Sequence, residues 1–457
     1  LFVYVSFLAI GLCAPFVLTL GYVWVDTFRP QEVAYVLLNQ FSVSAVMGAA
    51  AIISYVVMDR RAPPPPLMTQ LLTAAMAAWI TTTLLWAVAP EAAWIKWDWA
   101  FKTVAFAAFM PLVIRSRIQI EAVVQVYLLA LAANFVTFGA KTLISGGGYG
   151  TNLGLQGGNS GLAEGGLLST ACLMAVPLAL YLAKHNLLAP KWKIVSLGYL
   201  GLAALAVITA IGTYQRSALI GLVVLGVTTF MKSRHKLMLG AAGVVVALVL
   251  GYLMSERWTE RVSTITEYNE ESSALGRILV WQWTLEFAAA NPLGGGFNSF
   301  IINHITYPGG TMQFGKAFHS IYFEMLGEHG WPGLIMFLTI VASTMLSLRR
   351  LKKRIKGHPD ALWCSELANA LQVSIFVFMS AGAFVGIAFQ PMFWHMIALS
   401  VSLRAYVIRI EQQQTSRAIP WRRPDAAGTA ASTLPRPGAD EGWRGRASRA
   451  SAGARRT

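Results

Sequence analysis

Three side chains carry the chemistry that this sequence allows: Arg216, Arg277 and His319. The planar guanidinium group of an arginine donates two parallel hydrogen bonds that match phosphate oxygens, so two arginines from separate segments could clamp a diphosphate. A histidine titrates near neutral pH and can accept a proton from an attacking hydroxyl group. The three residues therefore predict a site that binds a diphosphate and removes a proton beside it.

Each of these residues also has an explanation without chemistry. Arg216 lies at the end of an apolar segment, where an arginine can extend its charge to the lipid headgroups. A single histidine close to a membrane is often a hydrogen-bonded packing residue. Charged residues at a membrane are costly, however, and the occurrence of two arginines and a histidine on the same predicted face favours a functional site.

A second histidine, His329, lies ten residues after His319 and has a different predicted environment. At about 100° per residue, an apolar stripe runs along the helix predicted over 319–329 and includes His329, which predicts a buried packing residue. His319 lies beside this stripe and is better placed to face a cavity. Glu324 and Glu328 lie on the other side, where they could contact a polar partner or face water, and of the two we expect water.

The composition places these residues in a membrane protein. The chain of 457 residues is 56% hydrophobic and only 12% charged, with a mean hydropathy of +0.55. Soluble domains average about 25% charged residues. Apolar runs of membrane-spanning length recur, so the predicted fold class is an all-α polytopic membrane protein with about 12 transmembrane helices. The candidate spans lie near residues 4–25, 33–57, 67–89, 98–114, 120–140, 164–183, 194–212, 216–231, 237–254, 331–348, 368–389 and 392–409.

The basic residues predict the orientation of these spans. They cluster in alternate loops, and the positive-inside rule places those loops and both termini in the cytoplasm. The net charge of +15 then follows from topology and does not indicate a nucleic-acid-binding protein. The clusters are Arg60 with Arg61, Arg115 with Arg117, Lys184 with Lys191 and Lys193, Lys232 with Arg234 and Lys236, the run 349–356 and the C-terminal tail.

One loop, 255–330, is much longer than the other predicted loops and falls on the non-cytoplasmic side. A loop of this length is uncommon unless it is functional. Within it, 272–291 and 319–329 predict short helices that end at glycine- and proline-bearing turns. The sequence thus predicts four parts: spans one to nine over 1–254, the helical loop 255–330, spans ten to twelve over 331–410, and a disordered basic tail over 411–457.

Three segments carry a resemblance to a known family: TYQRSALIGL at 213–222, GRILVWQWTLEFAAANPLGGGFNSF at 276–300 and FHSIYFEMLGEHGWPGL at 318–334. In these motifs, and in its many spans with one large loop, the chain resembles the O-antigen ligase family. That family shares its core with Wzy-type O-antigen polymerases and pilin O-oligosaccharyltransferases. In the last motif, Ser320 occupies a position that is often asparagine in the family.

The resemblance implies a glycosyltransferase of the bacterial inner membrane with its active site facing the periplasm. The donor would be a polysaccharide on undecaprenyl diphosphate and the acceptor a sugar hydroxyl of the lipid A core, so that transfer completes lipopolysaccharide. Matched motif by motif, Arg216 and Arg277 correspond to the diphosphate-binding arginines and His319 to the essential histidine. His319 would then be the general base of a direct, inverting displacement that needs no cofactor.

Four further residues are secondary candidates for the site: Tyr214, Trp281, Lys316 and Glu324. Aromatic rings could stack on sugars, although aromatic residues at an interface more often form a belt or pack. No pair of acidic or histidine side chains has a metal-binding spacing on the non-cytoplasmic face, and two arginines would repel a divalent ion. We therefore expect a metal-independent reaction.

Two other functions stay open at this level. A protein (pilin-type) O-oligosaccharyltransferase or an O-antigen polymerase would use the same core, and nothing in the sequence distinguishes their acceptors from lipid A core. A transporter of lipid-linked sugars would place its charges near the bilayer midplane, often with internal repeats. Here the ionisable residues gather at one face, which favours an enzyme.

Overall fold

The fold is that of a computed structural model, which describes residues 1–33, 38, 41–59, 61, 64, 66–145, 162, 164–232, 240, 272–308, 310–356 and 361–418. These residues are mostly helical, in agreement with the predicted all-α class. The helices are α1 (Phe2–Gly11), α2 (Pro15–Phe28), α3 (Pro30–Val33), α4 (Val43–Met58), α5 (Met68–Thr82), α6 (Pro90–Val113), α7 (Arg117–Ser145), α8 (Gly165–His185), α9 (Lys193–Gly212), α10 (Arg216–Lys232), α11 (Ser272–Ala290), α12 (Ile321–Arg354), α13 (Leu362–Ala381) and α14 (Pro391–Ala418).

Seven of the described helical segments are long and apolar enough to cross a membrane. The chain is therefore a multi-pass membrane protein, and the count of about 12 spans stays a prediction. Candidate span 237–254 lies outside the described residues except for residue 240. The seven segments are Met68–Trp86, Arg117–Ile144, Gly165–His185, Lys193–Gly212, Ile321–Arg354, Leu362–Phe384 and Pro391–Gln412.

The first predicted span, 4–25, is wrong as a continuous helix. The chain breaks after Gly11, and α2 begins at Pro15. Proline lacks a backbone N–H and is therefore favoured at the first position of a helix and unfavourable inside one. The apolar run is thus divided into two shorter helices that pack against each other.

Helix α8 lies at the centre of the bundle. Nearly every residue from Gly165 to Leu182 is buried, and α8 packs against α7, α9, α10 and α13. Its sequence is rich in Gly, Ala, Ser and Thr, which let neighbouring helices approach closely. This packing fixes the first turn of α8 beside the first turn of α10, where Arg216 lies.

Helix α12 is interrupted at Gly330, which has a φ of +66° and a ψ of −168°. At this break the chain crosses the loop that follows α11: a Cβ atom on Gly330 would lie 2.1 Å from the Pro292 carbonyl oxygen, and one on Gly294 2.4 Å from the Gly330 nitrogen. Only glycine fits such an approach at a positive φ. The N–H groups of Gly295 and Gly296 donate to the carbonyls of Gly327 and Glu328, at 3.0 and 2.8 Å, and so cap the first part of α12.

A two-stranded antiparallel hairpin, β1 (His304–Thr306) and β2 (Met312–Phe314), links α11 to α12. Its central residue Ile305 is buried in a small apolar cluster with Val280 of α11 and Phe318.

The contacts along the chain separate two units, Leu1–Ile410 and Glu411–Thr457. The elements described above, apart from the last residues of α14, belong to the first unit. Residues 411–418 complete α14. The tail predicted to be disordered continues beyond them, where it lies outside the described residues.

The predicted topology can be tested with two single cysteines, one on β2 before α12 and one in the last turn of α12. In a background with Cys13, Cys172 and Cys364 replaced by alanine, Gln313→Cys should react with a membrane-impermeant maleimide added to spheroplasts. Lys353→Cys, in the basic end of α12, should react only after the membrane is permeabilised. Reaction of both cysteines from the same side would contradict the topology, and the cysteine-free parent controls for background labelling.

Candidate active site

His319 lies where the chain enters α12, immediately before its N-cap residue Ser320. Its φ of +49° is in the left-handed region, which residues other than glycine rarely occupy. On one side, the carbonyl of the buried Phe318 accepts the indole N–H of Trp281 at 2.8 Å. On the other, the Ser320 carbonyl accepts the backbone N–H of Glu324 at 2.8 Å. Such a conformation persists only where its neighbours are fixed on both sides.

The imidazole of His319 lies close to two cations. Burial, followed by the positive charges of Arg277 and Lys316, lowers the pKa of His319 to about 4. Lys316 reaches over α11, since a Cβ atom on Gly276 would lie 2.8 Å from Lys316 Nζ. At neutral pH His319 is therefore an uncharged imidazole that can accept a proton beside a positively charged surface.

Glu164 connects this group with the start of α10. A Cβ atom on Gly166 would lie 3.0 Å from Glu164 Oε1 and 3.4 Å from the Ser217 hydroxyl. Burial raises the pKa of Glu164, and the charge of Arg277 opposes that rise. The structure therefore brings Arg277, Lys316 and His319 together, and it places the first turn of α10, which begins at Arg216, beside Glu164.

The two aromatic secondary candidates are engaged in packing. Trp281 stacks on Phe323 with ring centroids 5.0 Å apart, and its indole N–H is bonded to Phe318 as described above. Tyr214 is buried in a small apolar cluster with Ile211 and Leu222. Stacking of either ring on a sugar stays a prediction.

The expectation that Glu324 and Glu328 face water is wrong. Both are buried, and both accept hydrogen bonds from the ammonium group of Lys96: Nζ lies 2.6 Å from Glu324 Oε1 and 2.7 and 2.9 Å from the two oxygens of Glu328. The remaining Glu324 oxygen accepts the Ala388 N–H at 2.9 Å, and Glu328 Oε1 accepts the Asn298 N–H at 2.9 Å. A buried carboxylate keeps its charge only when it is paired in this way, which is why helical position alone misplaced them.

His329 is fully buried, as the apolar stripe predicted. Its ring lies edge-on to Phe297 and Phe389, with centroids 4.5 and 5.3 Å away, and its Nδ1 is 3.0 Å from the Thr83 hydroxyl. The His329 carbonyl accepts the indole N–H of Trp79 at 3.0 Å. These contacts describe a packing environment without access for a substrate.

Lys96 and Glu164 were missed by the sequence analysis. Lys96 lies just before the predicted span 98–114, at its non-cytoplasmic end. That is the criterion that singled out Arg216, so the same signal could have identified Lys96. Glu164 lies at the corresponding end of the predicted span 164–183 and could have been noticed for the same reason.

The arrangement can bind an anion and accept a proton at adjacent positions. Arg277 and Lys316 supply positive charge, and His319 supplies a neutral base beside them. Among the residues that the structure describes, no three His, Cys, Asp or Glu side chains form a group that could hold a metal ion. The positive charges that act on His319 are those of Arg277 and Lys316.

Two protein families match parts of the chain. Residues 201–338 match the family described as O-antigen ligase, and residues 1–187 match a family of unknown function (DUF5935). No curated protein matches the chain significantly. The segment 201–338 contains both arginines, His319 and the two glutamates of the buried ion network. Residues 201–338 therefore form the part of the chain that is similar to the O-antigen ligase family.

Proposed function

We propose that the protein is an O-antigen ligase, which transfers a polysaccharide from undecaprenyl diphosphate to a sugar hydroxyl of the lipid A core. The observation that carries this proposal is the neutral His319 held beside Arg277 and Lys316. A transferase that uses a diphosphate leaving group needs positive charge and a base at one place. The family match over 201–338 supports a lipid-linked glycan as the donor.

The reaction is a single displacement. The acceptor hydroxyl oxygen attacks the anomeric carbon of the donor while the bond from that carbon to the diphosphate oxygen breaks. The hydroxyl proton passes to the His319 imidazole, and undecaprenyl diphosphate leaves with the bonding electron pair. Attack from the face opposite the leaving group inverts the anomeric configuration.

The role of the cations is to stabilise the charge that develops on the diphosphate. Arg277 and Arg216 donate paired hydrogen bonds to its oxygens, and Lys316 adds a point charge. Fixed donors in a site shielded from water do this without rearrangement during the reaction. The proposed reaction is therefore independent of a divalent metal ion, and it takes place on the periplasmic side of the inner membrane.

The experiment that tests the proposal uses purified protein in detergent with a polyprenyl-diphosphate-linked glycan and lipid A core, in excess EDTA. Glycosylated lipid A core, with an inverted linkage, is the expected product. Transfer only to a pilin peptide or to the glycan itself would show a protein glycosyltransferase or a polymerase. A strict need for magnesium or manganese would contradict the assignment of the cations.

The first prediction concerns the arginines. Arg216→Lys and Arg277→Lys keep the charge but lose the two-pronged donor, so kcat/KM should fall roughly 10- to 100-fold, since a hydrogen bond to a charged group contributes about 1.5–3 kcal/mol. Thermal melting should show intact folding. Arg61→Lys is the matched control, because Arg61 forms an ion pair with Asp59. Near wild-type activity of both site variants would show that these arginines serve topology or snorkelling.

The second prediction separates the two histidines. His319→Ala should lower kcat by a factor on the order of 10²–10⁴, as expected for loss of a general base. Binding of the diphosphate donor should be largely kept because the arginines remain. His329→Ala should instead lower the melting temperature, with turnover in the protein that stays folded. A folded but inactive His329→Ala beside an active His319→Ala would reverse the two roles.

The third prediction follows from the pKa of His319. The base acts only when unprotonated, so a pKa of about 4 keeps it active at mildly acidic pH, and kcat/KM should fall only as pH approaches that value. Lys316→Gln removes one of the cations that depress the pKa, so the acid limb of the profile should move to higher pH. Lys353→Gln, at the other end of α12, should leave the profile unchanged. An acid limb that is the same in both variants would contradict His319 as the base.

A further inference from the structure

The backbone of His319 is covered by the loop 385–390, which joins α13 to α14. A Cβ atom on Gly386 of this loop would lie 3.8 Å from the backbone nitrogen of His319 and 3.5 Å from Glu324 Oε2. The loop thus forms a wall beside the backbone of His319, close to the carboxylate of Glu324. Because the loop lies beside this backbone, displacing the loop would change the surroundings of the imidazole.

The loop is fixed by Glu324, and Glu324 is fixed by Lys96. Glu324 Oε2 accepts the N–H of Ala388 at 2.9 Å, while Oε1 accepts a hydrogen bond from Lys96 Nζ at 2.6 Å. Both carboxylate oxygens are thus engaged, so the rotamer of Glu324 is determined. The same ammonium group binds Glu328, whose Oε1 accepts the N–H of Asn298 from the loop on the other side of α12.

Lys96 comes from the part of the chain that matches the family of unknown function. The segment from Trp79 to Lys96 makes several hydrogen bonds to the ligase segment besides the ion network. Trp79 donates to the His329 carbonyl at 3.0 Å, Trp86 to the Gly294 carbonyl at 3.2 Å, and Val88 to the Gly295 carbonyl at 2.8 Å. Asn298 donates in return to the Ala92 carbonyl at 2.8 Å.

We propose that Lys96 is a positioning residue for His319, acting through Glu324 and the loop 385–390. Through Lys96, the region that matches the family of unknown function contributes a part of the transferase site, and residues 79–96 orient the motif of residues 291–329. This inference builds on the proposed function, in which His319 is the base. It predicts that the geometry of Lys96, and not only its charge, matters for turnover.

The test compares two substitutions at position 96 with one on the same helix. Lys96→Met removes the charge, and Lys96→Arg keeps the charge with a different geometry. Lys102→Met is the matched control, because Lys102 forms an ion pair with Asp98 on α6 and has no part in the network. Each variant is purified as full-length protein in detergent, and kcat and the donor KM are measured per amount of folded protein.

A second readout does not depend on transferase activity. Reaction of His319 with diethyl pyrocarbonate is followed by peptide mass spectrometry in the same samples. His304, which is exposed on β1, serves as the internal reference. The ratio of the two modification rates reports how well the wall over His319 is held.

For Lys96→Met we expect kcat to fall roughly 10- to 100-fold with donor KM little changed, because a small displacement of a catalytic group is enough to cause such a loss. Lys96→Arg should fold like wild type and still lose activity. If Lys96→Met does not fold, Lys96→Arg alone shows whether Lys96 positions His319. In both variants the His319 modification ratio should rise by about threefold or more, as local opening exposes the ring. Lys102→Met should match wild type in every measurement.

The inference would be overturned if Lys96→Arg kept the wild-type kcat and an unchanged modification ratio, while Lys96→Met was either equally active or unfolded. Lys96 would then be a purely structural residue. An inactive wild-type protein would instead contradict the proposed function. In that case the modification ratio still tests whether Lys96 positions His319, so the two failures are distinguishable.

Discussion

The ammonium group of Lys96 lies 2.6–2.9 Å from three carboxylate oxygens of Glu324 and Glu328, in a part of the bundle from which water is largely excluded. Such a network is not a source of net stability, because three charges must be desolvated to form it, but removing one member typically costs about 3–5 kcal/mol. The network instead fixes the orientation of the groups around it. The carboxylates that accept from Lys96 also accept the backbone N–H groups of Ala388 and Asn298, so that one cation fixes two loops and the first turns of α12.

The backbone crossing at Gly294 and Gly330 is the second constraint, and it acts on the same elements. It holds the loop after α11 against the break in α12, and the N–H groups of that loop satisfy carbonyls that the break leaves free. The ion network and the crossing together leave α12 little freedom to slide or rotate. The left-handed backbone of His319, which is unfavourable for a residue with a side chain, is maintained by this surrounding rigidity.

The sequence alone predicts the helices well where their signals are strong. The helix predicted over 272–291 spans Ser272–Ala290, and Gly330 interrupts α12 where a glycine stop was expected. The burial of His329 follows from its place on an apolar stripe. Contacts between residues distant in the chain could not be predicted. Periodicity shows which side of a helix a glutamate occupies, but it does not show that Lys96 lies on that side and pairs with the carboxylate. Likewise, the apolar run over residues 4–25 resembles a single span, and only the preference of Pro15 for the first position of a helix indicates that it is divided.

The sequence distance within the ion network has a consequence for how the protein is made. Lys96 precedes Glu324 by 228 residues, so it is synthesised and placed in the membrane long before the two carboxylates leave the ribosome. Glu324 and Glu328 can then enter the bilayer toward an existing counter-charge, which lowers the cost that an isolated carboxylate would bear. The ion network thus joins a helix near the N-terminus to one that is synthesised much later. Separating the two halves of the chain, or exchanging one of them between relatives, would leave the buried carboxylates dependent on a counter-charge from another molecule or another sequence.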